Sequence, residues 1–157
     1  GFVHTSQKFE DKKLELLVNH KAGLPSWGLL SRRTWKEQLL SYKITESQTL
    51  YSDFSANRYM LEVEDKLGLA YKDLVFQNLS QGIYHYLDLP KDAFCLQNGF
   101  YHQKPNKGKV HDPNAYNIKA FMSHAGLFAT IKALCKSLIE FDKAHHSEEK
   151  AAENDKR

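Results

Sequence analysis

The feature that most restricts this chain is a helix whose two ends are both written into the sequence, between Ser52 and Gly68. Ser52, Asp53 and Ser55 carry side-chain oxygens that can accept from the free amides of a first helical turn, and Gly68 suits the left-handed residue that follows a last one. Between them Met60, Val63 and Leu67 recur at i, i+3 and i+7, one face of a helical repeat. Tyr51 then stands just outside a helix N-terminus. The partial positive charge of exposed amides there favours a phenolate, and the same place also suits an ordinary packed tyrosine.

Other stretches repeat the helical period. Leu14, Leu17 and Val18 form a stripe that His20, Gly23 and Pro25 bring to an end. His20 has no second ligand at metal spacing and reads as a hydrogen-bonded structural histidine. Thr34-Trp35-Lys36-Glu37 fits a capping box, opening a helix to about Tyr42 that buries Trp35 and Leu39. The polar segment 44 to 50 is a connector that delivers Tyr51. Leu74, Val75, Leu79, Ile83 and Tyr86 predict a helix over 71 to 86, interrupted by Gly82. Residues 91 to 117 are turn-rich, and a loop of that length is commonly functional. Thr130 caps the last helix, with Ile131, Leu134, Cys135, Leu138 and Ile139 on an apolar face expected to be buried. No alternating strand pattern is visible. The expectation is an all-α domain of five or six helices over 1 to 141, followed by a charged tail, 142 to 157, that is a frayed helix or disordered.

Composition removes several classes of function. Twenty-two Lys and Arg against nineteen Asp and Glu, interleaved, give a formal charge of +3 and no basic run, so no nucleic acid is expected as a partner. No stretch approaches the ~20 apolar residues of a membrane span, and Gly1-Phe2-Val3-His4 lacks the features of a signal peptide. Cys95 and Cys135 could pair or stay free, with Cys135 expected as a buried thiol, and they leave the redox compartment open. His102, His111 and His124 are separated by nine and thirteen residues, which matches no standard ligand spacing. No metal and no cofactor is expected, although a metal-binding protein using the eight histidines is a remote further reading.

Three ordered segments carry a family resemblance. Residues 16 to 27, with Leu16-Leu17-Val18-Asn19-His20-Lys21-Ala22-Gly23-Leu24-Pro25, resemble the Leu-Leu-x-His-x-Ser-Gly-Leu-Pro segment of the serine β-lactamase-like hydrolases, a group that includes class C β-lactamases, penicillin-binding proteins and related esterases. Tyr51-Ser52-Asp53 resembles that family's Tyr-x-Asn motif. Val110-His111-Asp112-Pro113-Asn114-Ala115-Tyr116 and Ser123-His124-Ala125-Gly126-Leu127-Phe128-Ala129-Thr130 resemble the segments that follow it. Two departures stand out: Ala22 replaces the usual serine before the glycine, and Asp53 replaces asparagine, offering acceptors only once ionised.

The resemblance implies a helical subdomain inserted in an α/β domain, with Tyr51 catalytic and Ser52 and Asp53 binding substrate. It implies the missing α/β domain as partner, a cell-wall peptide, a β-lactam or an ester as substrate, and a bacterial cell-envelope location. Such an enzyme also needs a nucleophilic Ser-x-x-Lys pair. The only match, Ser147-Glu148-Glu149-Lys150, sits in the charged tail, where neighbouring carboxylates would keep the lysine protonated. No Lys-Thr-Gly is present. The chain is thus expected to be inert alone. The alternative is a stand-alone helical binding or interaction module derived from the same fold.

Overall fold

The structure is a computed structural model that describes residues 11–101 and 103–154. Expectations for residues 1 to 10, for His102 and for 155 to 157 lie outside the described residues. Helix α1 (Lys12–Val18) begins at Asp11, whose carboxylate accepts from the amides of Lys13 and Leu14. Helix α2 spans Trp35–Ser41 and α3 spans Asp53–Leu67. As its sequence requires, α3 starts on the Ser52 hydroxyl, which accepts from Ser55 N, and stops at Gly68 with φ +64°. Leu17 and Leu39 are fully buried in one core cluster with Met60 and Val63 of α3, each contributing about 1.5–3 kcal/mol by leaving water.

Polar side chains fasten the same three helices. The Arg58 guanidinium of α3 donates through Nε to Glu62 at 2.6 Å and through Nη1 to the Leu39 carbonyl at 2.6 Å. Glu62 also pairs with Lys13 of α1. Thr34 precedes α2 but its hydroxyl makes no cap hydrogen bond, so the expected capping box is absent. Gln38 instead reaches back and accepts from Ser31 N at 2.7 Å.

The all-α expectation is wrong. Among the described residues, six α-helices are joined by four strands in two small antiparallel sheets, so the fold is mixed α/β. Helix α4 covers only Tyr71–Gln77. The helix expected to run on to Tyr86 already stops at Asn78, whose side chain donates to the Leu74 carbonyl, and Gly82, at φ +94°, then turns the chain into β1 (Ile83–His85), which pairs with β4 (Leu127–Ala129). Strands of three residues are too short to display a period of two. A second hairpin, β2 (Gln97–Tyr101) with β3 (Lys104–Lys107), lies in the segment expected as loop. It contains Gly99 and Pro105, residues that rarely mark strands. Helix α5 (Pro113–Ile118) follows.

The last helix, α6 (Ile131–Asn154), starts where expected, with Ala133 N donating to the Thr130 hydroxyl, and continues to Asn154, into the segment 142 to 157 expected as a frayed helix or disordered tail. Its orientation is not as expected. Ala133 and Ser137 face inward, where Ser137 Oγ accepts from Ser80 N at 2.9 Å. Ile131, Leu138 and Ile139 are 83%, 60% and 54% exposed, and Cys135 is an exposed free thiol rather than a buried one.

Candidate functional site

The N-terminus of α3 is where distant segments meet. Gly23, at φ +68°, lets the chain turn after α1 in a place where a Cβ would lie 2.8 Å from the Thr45 carbonyl. The connector then runs back along this turn, with Thr45 N, Ser47 N and Leu50 N donating to the carbonyls of Ala22, Lys21 and His20. That ladder sets Tyr51 on His20, their ring centroids 4.9 Å apart. Tyr51 is 71% exposed. Its hydroxyl makes no hydrogen bond among the described residues, so the phenol projects from the rim.

Ser52 lies at the opposite extreme of burial. Its hydroxyl donates to the Pro25 carbonyl at 2.5 Å and accepts from Ser55 N at 2.9 Å, while its amide donates to His20 Nδ1. Each of these bonds is internal to the fold. Asp53 N donates to the Ser26 carbonyl, which aims the Asp53 carboxylate toward Asp112 and His124. The acceptor atoms of Asp53, Asp112 and His124 lie within 4.8 Å of one another.

Asp112 comes from the start of α5, where its carboxylate caps the helix by accepting from Ala115 N at 2.7 Å. Burial alone would raise its pKa. The neighbouring N–H groups of His124, Ala115 and Trp27 outweigh that and hold the carboxyl below the ordinary range. Asp53 has no such donors, so burial pushes its carboxyl up, and the Asp112 charge adds to the rise against the opposing pull of His124 and His20.

His124 is oriented by Asn57. The Asn57 amide is fixed at both ends, since Oδ1 accepts from Ser123 N at 3.0 Å and Nδ2 donates to the Asp53 carbonyl at 2.8 Å. Nδ2 is also 2.8 Å from His124 Nδ1, which must therefore be the acceptor. The imidazole proton then resides on Nε2, 3.1 Å from Asp112 Oδ1 but off the line of a straight hydrogen bond. A protonated nitrogen is not a metal ligand. The spacing of these three residues suits a divalent cation, but their hydrogen bonding opposes one.

Tyr51, Ser52 and Asp53, singled out from the sequence, therefore come to one rim with different environments. Asn57, Asp112 and His124 were not singled out as site residues. Two signals pointed to them: Asp112-Pro113 is a cap followed by proline at the first helical position, and Asn57 is one turn after Asp53 on the same face. His111 packs instead beside Gly99, away from this cluster. No helix among the described residues is long and apolar enough to cross a membrane. Set against models of protein families, curated proteins and solved structures, the chain matches none of them.

Proposed function

We propose that the chain is the helical part of a serine β-lactamase-like acyl hydrolase and that it lends the Tyr51 phenol to a cleft whose nucleophile lies outside residues 1 to 157. One observation carries this reading. The segments that resemble that family, far apart in sequence, meet at the rim from which Tyr51 projects: His20 and Pro25 bond directly to Ser52, while His124 and Asn114 bond to residues just beyond the first two segments, Asn57, Leu30 N and the Gly28 carbonyl. Tyr51 would exchange a proton with an attacking or leaving oxygen. That task needs a cationic neighbour, which this reading places with the nucleophile, outside the chain. Asp53 would contact substrate beside it. An extracytoplasmic location belongs to the same reading.

The test is Tyr51→Phe in the intact parent protein, which removes one hydroxyl and keeps the ring on His20. Turnover should fall roughly 10²-fold or more, the usual worth of acid-base catalysis, while the melting temperature of the chain stays unchanged. Unaltered turnover would remove Tyr51 from the chemistry. The chain alone should hydrolyse neither a chromogenic β-lactam nor a nitrophenyl ester and should take no acyl label.

A second reading, a stand-alone binding module, is favoured by the exposed apolar face of α6. Translation of the flanking gene sequence separates the two readings, because a Ser-x-x-Lys upstream decides for the enzyme.

A further inference from the structure

A cavity of about 610 Å³ opens between the β1–β4 ribbon and the segment that leads into β2, and Asp112 forms part of its wall. That volume lies within the ~300–1,000 Å³ range typical of small-ligand sites. Its body is apolar, built from side chains such as Leu89, Phe94, Leu96, Val110 and Phe128, and Phe94 and Leu96 stand almost fully exposed at its lip. No lysine or arginine lines it. Asp112 is the acid in its wall; Asp53 lies outside the lining, but an oxygen of its carboxylate is within 4.8 Å of one of Asp112, and that carboxylate has no hydrogen bond or ion pair among the described residues.

The geometry points to a binding site for an apolar amine, with the hydrocarbon body in the cavity and the ammonium group between Asp53 and Asp112. Charge complementarity selects this class. Asp112 is already satisfied by the Ala115 amide, whereas Asp53 is a partly buried acceptor with nothing to accept from. A ligand ammonium supplies both the missing donors and the missing charge. A ligand carboxylate would meet two carboxylates with neither lysine nor arginine in the lining, where His111 is the one basic side chain. As a statement about substrate, this rests on the hydrolase reading and narrows it to esters or amides with a free amino group. As a statement about binding, it stands on this chain alone.

The experiment compares three probes of equal length, hexylamine, hexanol and hexanoate, titrated into the chain at neutral pH and followed by amide NMR shifts of Ala125 to Leu127. Hexylamine should saturate and bind at least ~10-fold more tightly than hexanol, and hexanoate should not bind. Asp53→Asn should bring hexylamine to the level of hexanol without changing the thermal transition. Equal binding of amine and alcohol to the unaltered chain, preference for hexanoate, or no saturable shift with any probe would each overturn the proposal. An amine preference that survives Asp53→Asn would overturn the assigned carboxylate. None of these readouts involves turnover, so they fail or succeed independently of the Tyr51→Phe test.

Discussion

Replacing Asn57 with leucine keeps the side-chain volume and improves helix propensity, yet it should be among the most damaging changes in α3. Asn57 is 1% exposed, and its amide meets the Asp53 carbonyl, His124 Nδ1 and Ser123 N. In Asn57→Leu the Asp53 carbonyl remains in the helical ladder. Ser123 N–H and His124 Nδ1 do not fare so well, because each is left facing methyl groups. An orphaned buried polar group costs about 1–3 kcal/mol, so two of them set against a small gain from the added apolar surface give a loss of about 3 kcal/mol. For a chain of this length each kcal/mol moves the melting temperature by about 2–4 °C, so the drop should be roughly 6–12 °C. Thermal and urea unfolding followed by circular dichroism would measure it. A shift under ~2 °C would mean that the network is not formed as described. Ring ¹⁵N shifts supply an independent check: the unaltered chain should show the proton on His124 Nε2, and Asn57→Asp, which replaces the donor by an acceptor, should move it to Nδ1. A proton on Nδ1 in the unaltered chain would refute the orientation assigned to Asn57.

Two further outcomes are expected. Arg58→Ala leaves the Leu39 carbonyl without its donor and leaves Glu62 with Lys13 as its remaining partner. The urea midpoint should show a loss of about 2–4 kcal/mol, below the worst case for an isolated buried pair because Lys13 stays, and Arg58→Lys should recover little of it, lacking the planar fork. Burial, helped by Lys72 and opposed by Asp88, pushes the His85 imidazole below its ordinary pKa. A base whose pKa is depressed on folding stabilises above its unfolded pKa and loses that contribution as pH falls toward the folded value. The melting temperature should therefore decline as pH drops below ~6.5, and His85→Gln should flatten that decline when melting curves are compared from pH 7 to 5.

What could be read in the sequence was local, and what could not was relational. Ser52 and Gly68 announce the ends of α3 because caps involve neighbours in sequence, and the structure uses both residues in those roles. The apolar stripe of α6 was equally visible, but periodicity locates a stripe without saying what it packs on. Here the inward face is the small one, Ala133 and Ser137, because Gly82 approaches so closely that a Cβ on it would lie 3.0 Å from Ala133 Cβ. The strands were hidden by brevity, and by Gly99 and Pro105 in the hairpin. At the site, Tyr51, Ser52 and Asp53 share a short stretch and could be singled out together. His124 reaches them through the long-range bonds of Asn57, and the Asp112 helix is held nearby by those of Asn114, neither of which a spacing rule encodes.

The same bonds divide the rim into two kinds of residue. Ser52 is consumed by capping α3, and Asp112 by capping α5. His20 spends Nδ1 on Ser52 N, and His124 spends its own Nδ1 on Asn57. Two polar groups remain with no internal task among the described residues: the exposed Tyr51 phenol, just before α3, and the Asp53 carboxylate, in its first turn beside Asp112 and His124. Folding alone gives no reason to hold a partly buried carboxylate without donors beside a second carboxylate, since that arrangement raises its pKa and costs stability. The cost becomes intelligible if a ligand completes the site. Substitutions at Asn57 or Arg58 should then act on stability first, while substitutions at Tyr51 or Asp53 should leave stability intact and act on binding or turnover. It is this separation, measured residue by residue, that distinguishes a working cleft from a merely well-packed helix end.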